Sequence, residues 1–130
     1  MSNLTDAELD YLRGGDRRLA RIATIGRDGA LHVTPVGYAY NAARDTIDIG
    51  GHGLQRTKKF RDIERDGRVA VVIDDVLPPW QPRGVEIRGH AEALTSPEPL
   101  IRVHPERIVS WGLESRALGD RHARSVEKAS

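Results

Sequence analysis

Apolar and polar positions divide this chain into short runs with a strand period, interrupted twice by a helical one. Leu19–Ile25 is apolar and β-branched with little charge, which predicts a strand. Asp28-Gly29 follows as a hairpin turn. Ala30–Tyr40 then alternates, with Leu31, Val33, Pro35, Gly37 and Ala39 on one parity and His32, Thr34, Val36, Tyr38 and Tyr40 on the other. Pro35 has no amide hydrogen to give a ladder, so this strand must lie at an edge or carry a bulge. The polar stretch Asn41–Asp45 turns the chain into a third strand, Thr46–Ile49. The nearly continuous apolar run in Arg68–Ile73 predicts a central strand. Leu77–Pro82 is a stiff proline-rich loop. Gly84–Leu94 places Val85, Ile87, Gly89, Ala91 and Ala93 on one parity, and Leu100–Val103 with Arg107–Trp111 supplies the last strand material around His104-Pro105.

The helical period appears at the N-terminus and near the middle. Thr5-Asp6-Ala7-Glu8 is a capping box that opens a short helix, with Leu9 and Leu12 on one face and Gly14-Gly15 at its end. In Thr57–Arg65, Phe60 and Ile63 share a face among charged neighbours. Strands in this number with one short helix between them predict a mainly β, closed or partly closed barrel. Residues 1–113 form a single domain and residues 114–130 a polar tail, read over 115–130 as a frayed helix or unordered segment. No internal repeat is visible.

Composition narrows the function. The 130 residues are 38% hydrophobic and 30% charged, with a net charge of +1, so the chain reads as soluble and globular without a strong field for nucleic acid or membrane. It contains no cysteine, which removes disulfides, thiolate chemistry and cysteine-ligated zinc. No signal peptide or membrane-length apolar run is present, and the cytoplasm is the default location. The histidines His32, His52, His90, His104 and His122 show no metal-ligand spacing, so no metal is expected. There is no nucleophile elbow, no phosphate-binding loop of the Walker type and no dinucleotide fingerprint.

What remains is Gly50-Gly51-His52-Gly53-Leu54-Gln55-Arg56-Thr57-Lys58-Lys59, where a strand ends, glycines admit close approach and a helix begins. Arg56, Lys58 and Lys59 at a helix start oppose the macrodipole and repel each other, a cost that a bound anion relieves. Thr57 either caps the helix or donates to a phosphate oxygen. The alternative is a solvated basic helix start.

The stretch Thr57–Val72 resembles the cofactor-phosphate helix and following strand of the pyridoxamine 5′-phosphate oxidase-like split-barrel family. Leu19–Val36 is similar to that family's opening hairpin, and Val85–Ala93 to its late strand. The similarity covers about residues 4–113. Arg102–Gly112 is similar to the branch that uses the deazaflavin coenzyme F420. The resemblance implies an FMN-binding-type split β-barrel with short helices, working as a homodimer. It further implies a reductase passing hydride from reduced F420 to a small unsaturated substrate. By position, Thr57, Lys58 and Lys59 hold the cofactor phosphate with Arg56. Gly50 and Gly51 allow close approach, and Pro35-Val36 meets the ring. Trp80 roofs the pocket or packs, and Trp111 reaches an interface or packs. His52 is the first proton-donor choice, against a plain surface-loop histidine. Arg83 and Arg88 are choices for meeting an acidic cofactor tail. Alternatives are an FMN-dependent flavin reductase or oxidase and a non-catalytic cofactor carrier, because both cofactors bear a ribityl phosphate. The chain stops short of the substrate segment of true pyridoxamine phosphate oxidases.

Overall fold

The computed structural model describes residues 2–14, 18–114 and 119–127. Helix α1 (Asp6–Arg13) leads into strands β1 (Ala20–Ile25), β2 (Leu31–Val36), β3 (Ala39–Asn41) and β4 (Thr46–Ile49). A single 3₁₀ turn (Leu54–Arg56) precedes helix α2 (Lys58–Arg65), and β5 (Arg68–Leu77), β6 (Gln81–Leu94), β7 (Leu100–Trp111) and β8 (Arg121–Ser125) complete the chain. The strands are antiparallel throughout, in the order β2-β1-β5-β6-β7-β4-β3. β7 takes β4 along its first half and β8 along its second. This is the mainly β barrel that the pattern predicted, of the split type that the resemblance implies.

Alternation builds the core. Ala20 and Ile22 on β1, Val71 and Ile73 on β5, Val85 and Ile87 on β6, and Ile101, Val103 and Ile108 on β7 are buried against one another. Helix α2 closes one opening with Phe60 and Ile63, and burying a ring such as Phe60 is worth about 3 kcal/mol. Pro35 lies on β2, which is indeed an edge strand, where its missing donor breaks no ladder.

The structure corrects several readings. Ala30–Tyr40 is two strands separated at Gly37-Tyr38. β5 runs on through Asp74 and Asp75 to Leu77, because Asp75 faces Arg83 across the ladder and pairs with it. β6 begins at Gln81, so the proline-rich segment is a tight hairpin turn over residues 78–80. β7 is continuous through His104-Pro105, with a register shift opposite Arg88 and Gly89. A Cβ on Gly89 would lie 2.0 Å from the His104 carbonyl oxygen, so only glycine fits that irregularity. Residues 121–125, read as helix or unordered tail, are strand β8. Of the rest of that tail, 115–118 and 128–130 lie outside the described residues, as does Gly15.

The capping box is present as written: Glu8 N–H donates to Thr5 Oγ1 at 3.2 Å, and Thr5 N–H donates to Glu8 Oε1 at 2.9 Å. The face α1 turns inward, however, is Glu8, Tyr11 and Leu12, with Leu9 only half-buried. Arg124 on β8 binds the Glu8 carboxylate with both terminal nitrogens. Burial alone would raise the Glu8 carboxyl, but bonds from Arg124, Ser110 and Thr5 hold it below its ordinary value. At the other end of α1 the Tyr11 hydroxyl donates to Asp75, Arg83 holds that carboxylate with two nitrogens, and Arg18 stacks on the Tyr11 ring at 3.9 Å. No described helix is long and apolar enough to cross a membrane.

Candidate functional site

Helix α2 begins after Thr57, whose extended backbone (φ −79°, ψ 156°) sets up the cap as that of Thr5 does for α1. Thr57 Oγ1 accepts from Phe60 N–H at 3.3 Å and donates to the Leu54 carbonyl at 2.6 Å. The threonine therefore caps the helix, and its hydroxyl proton is already engaged. The amides of Lys58 and Lys59 remain as the orphan donors of a helix start, and the first turn holds no acidic residue.

The three cations differ. Lys58 folds back along the helix, and its Nζ lies 3.1 and 2.8 Å from the two carboxylate oxygens of Asp62. The side chains of Lys59 and Arg56 have no ion pair or hydrogen bond among the described residues. Asp62 is buried, and it also accepts from Thr24 Oγ1 and from Arg65, each at 2.9 Å. Desolvation pushes its carboxyl upward, but Lys58, Thr24 and Arg65 outweigh that and keep it below the usual carboxylate range.

Beside α2 stands the β1–β2 hairpin. Gly26 closes its turn by donating to Ala30 O at 2.7 Å, and Gly29 adopts φ +84°, a conformation that favours glycine. Register places Leu31, Val33 and Pro35 on one face beside Ile25, Ala23 and Arg21, continued on β5 by Ala70 and Val72. This face looks outward: Leu31 is 81% and Val33 65% exposed, an unusual state for apolar residues on an edge strand. Val36 turns inward, so only its backbone reaches that face. A Cβ added at Gly37 or Gly50 would meet nothing within 4 Å.

The structure thus gathers Gly50, Gly51, His52, Arg56, Thr57, Lys58 and Lys59 at the β4–α2 connection, next to the hairpin turn. His52 is exposed there and makes no hydrogen bond among the described residues. Pro35 and Val36 lie at the opposite end of the apolar shelf, four to five residues or roughly 15 Å along the strand. Trp80 is 68% exposed at the tip of the β5–β6 hairpin, and Trp111 is half-buried with its ring over Gly84. Arg83 and Arg88 pair with Asp75 and Glu86, so neither guanidinium is uncommitted. Tyr38 and Tyr40 belong to the α1 side, bonded to the Leu12 carbonyl and to Asp45. A groove between α1 and the β3–β4 turn is lined by residues such as Leu9, Arg13 and Tyr40, and by none of the sequence candidates. Among the described residues no cluster of three histidine or carboxylate groups is placed to hold a metal.

The features fit an elongated anionic ligand with a flat apolar part. Orphan amides and two cations without an anionic partner among the described residues stand at one end, and an uncovered apolar shelf runs away from them. Sequence reasoning missed Asp62 and Thr24. The Lys58–Asp62 spacing of four residues was a signal for the pair, but nothing local told that the carboxylate is buried against β1.

The family model described as pyridoxamine 5′-phosphate oxidase matches residues 4–127. A 5a,11a-dehydrotetracycline/5a,11a-dehydrooxytetracycline reductase of Streptomyces rimosus is 38% identical over 133 residues, covering 94% of this chain and 92% of that protein. Among solved structures, the conserved hypothetical protein Rv2991 of Mycobacterium tuberculosis superposes with a TM-score of 0.70 at 22% identity, covering 85% of this chain and 86% of that one. An F420 reductase superposes with a TM-score of 0.58 at 19% identity, covering 76% and 94%.

Proposed function

The chain belongs to the pyridoxamine 5′-phosphate oxidase family, and from that premise we propose that it is an F420-dependent reductase of small unsaturated molecules. The supporting observation is the α2 start, where Lys59 and Arg56 lie without anionic partners beside an exposed apolar shelf. An oxidoreductase assignment is supported by the related Streptomyces reductase, and the deazaflavin by the likeness to an F420 reductase. In this reading Lys59, Arg56 and the amides of Lys58 and Lys59 hold the phosphate. Leu31, Val33 and the backbone at Pro35-Val36 take the ring. Reduced F420 would supply hydride to an electron-poor double bond, as the relative's dehydrotetracycline substrates suggest, and a proton would complete the saturation. His52, exposed and unbonded at the glycine loop, is assigned to carry that proton. A second copy of the chain would cover the shelf, since a one-sided shelf leaves a large cofactor half exposed.

Titration with F420 and with FMN, followed by fluorescence for the wild type and Lys59→Ala, tests the reading. Micromolar F420 binding, weaker FMN binding and loss in the variant are expected. Preference for FMN replaces the cofactor, and binding of neither removes the phosphate site. Binding without turnover of enones and imines by reduced F420 would make the chain a carrier instead.

A further inference from the structure

The two halves of the site, cationic helix start and apolar shelf, belong to different elements, and one buried side chain joins them. Asp62 is 2% exposed on the inner face of α2. Its carboxylate accepts from Thr24 on β1, from Lys58 at the helix start and from Arg65 in the last turn. Arg65 also donates to the Ile25 carbonyl at 3.3 Å, at the end of β1. Lys58 Nζ is drawn down over the hairpin turn, 3.1 Å from where a Cβ on Gly26 would stand. A buried carboxylate with four charge-assisted or hydroxyl bonds holds its partners more tightly than surface pairs do.

We propose that Asp62 is a positioning residue that fixes the α2 start against the β1–β2 shelf, so that the phosphate and ring of one cofactor are engaged together. This rests on the phosphate reading above and adds to it the residue that sets the spacing. Lys58 then serves as an arm of this anchor, and Lys59 with Arg56 carries the phosphate charge. A carboxylate this close to an anion site opposes anion binding by simple Coulomb repulsion. The sign of its effect therefore separates the two roles: an Asp62 that only repels gives tighter binding when neutralised, and one that positions gives weaker binding.

The test compares the affinity of F420 with that of its phosphate-free deazariboflavin core, in the wild type, Asp62→Asn and Thr24→Val. The ratio of the two affinities reports the phosphate together with the acidic tail it carries, and its fall in Lys59→Ala gives the share held at the α2 start. Positioning predicts that the ratio falls about tenfold in Asp62→Asn, the worth of one charge-assisted bond, while the core binds as before. Thr24→Val alters the anchor without touching any cation, so it keeps the test alive if the asparagine variant folds poorly, and a smaller fall in the same direction is expected. An unchanged ratio with lowered thermal stability assigns Asp62 to folding alone and overturns the proposal, as does a raised ratio. A wild-type ratio near one that is unmoved by Lys59→Ala defeats the phosphate reading itself, and is recognised before any Asp62 variant is measured.

Discussion

The two helices are equal in length and begin alike, yet they are built for different ends. Each spans eight residues and starts from a threonine cap. α1 has Asp6 and Glu8 in its first turn, which satisfy the positive end of the helix from within the chain. α2 has no acid there, and places Lys58 and Lys59 where the macrodipole disfavours them. At α1 the buried carboxylate of Glu8 is matched by Arg124, and nothing further is needed. At α2 the buried carboxylate of Asp62 engages Lys58 and Arg65, leaving Lys59 and Arg56 over. A helix start completed by its own chain is a structural joint, and one left with surplus cations is, in the proposed function, where the ligand's anion binds.

This contrast can be broken first at α1. Glu8→Ala removes the reciprocal cap and strands Arg124, and should cost about 3 kcal/mol in chemical denaturation while leaving the F420-to-core affinity ratio of the folded protein unchanged. Lys59→Ala should do the reverse: about tenfold weaker F420 binding by fluorescence, with the melting temperature level or slightly higher because self-repulsion is relieved. Gly29→Ala strains the left-handed turn beside α2 and should cost about 1 kcal/mol with little change in binding. The last contrast is read in acid, at Asp75. Bonds from Arg83, offset in part by desolvation, lower its carboxyl to about 2. Its folded value lies below the unfolded one, so its contribution is complete above the ordinary carboxylate range and is lost as pH falls through about 2. Stability measured against pH should therefore fall more steeply in acid for the wild type than for Asp75→Asn.

The barrel was legible wherever a local rule coincides with the tertiary solution. The Thr5–Glu8 box, the Asp28-Gly29 turn, the edge placement of Pro35 and the alternation of Val85, Ile87 and Ala91 each follow from a few neighbouring residues. β8 was not legible, because Arg121-His122-Ala123-Arg124-Ser125 carries no apolar alternation, and its partners are β7 and a glutamate near the other end. The extension of β5 through two aspartates was hidden for the same reason, since Arg83 and Arg18 make Asp75 tolerable only after folding. At the α2 start, the sequence marked the cations as a group. Dividing them into Lys58, held by Asp62, and Lys59, without a partner, required knowing what lies beneath the helix.

The Glu8–Arg124 pair also bears on how the protein is made. Its partners are 116 residues apart, so Glu8 is synthesised well before Arg124. Until β8 emerges, the newly made α1 carries an acid designed for burial with no cation to meet it. Helix α1 is therefore synthesised before β8 but secured only after it, and contacts of such long sequence separation form slowly. The joint between α1 and β8 closes only once both of its halves have been made.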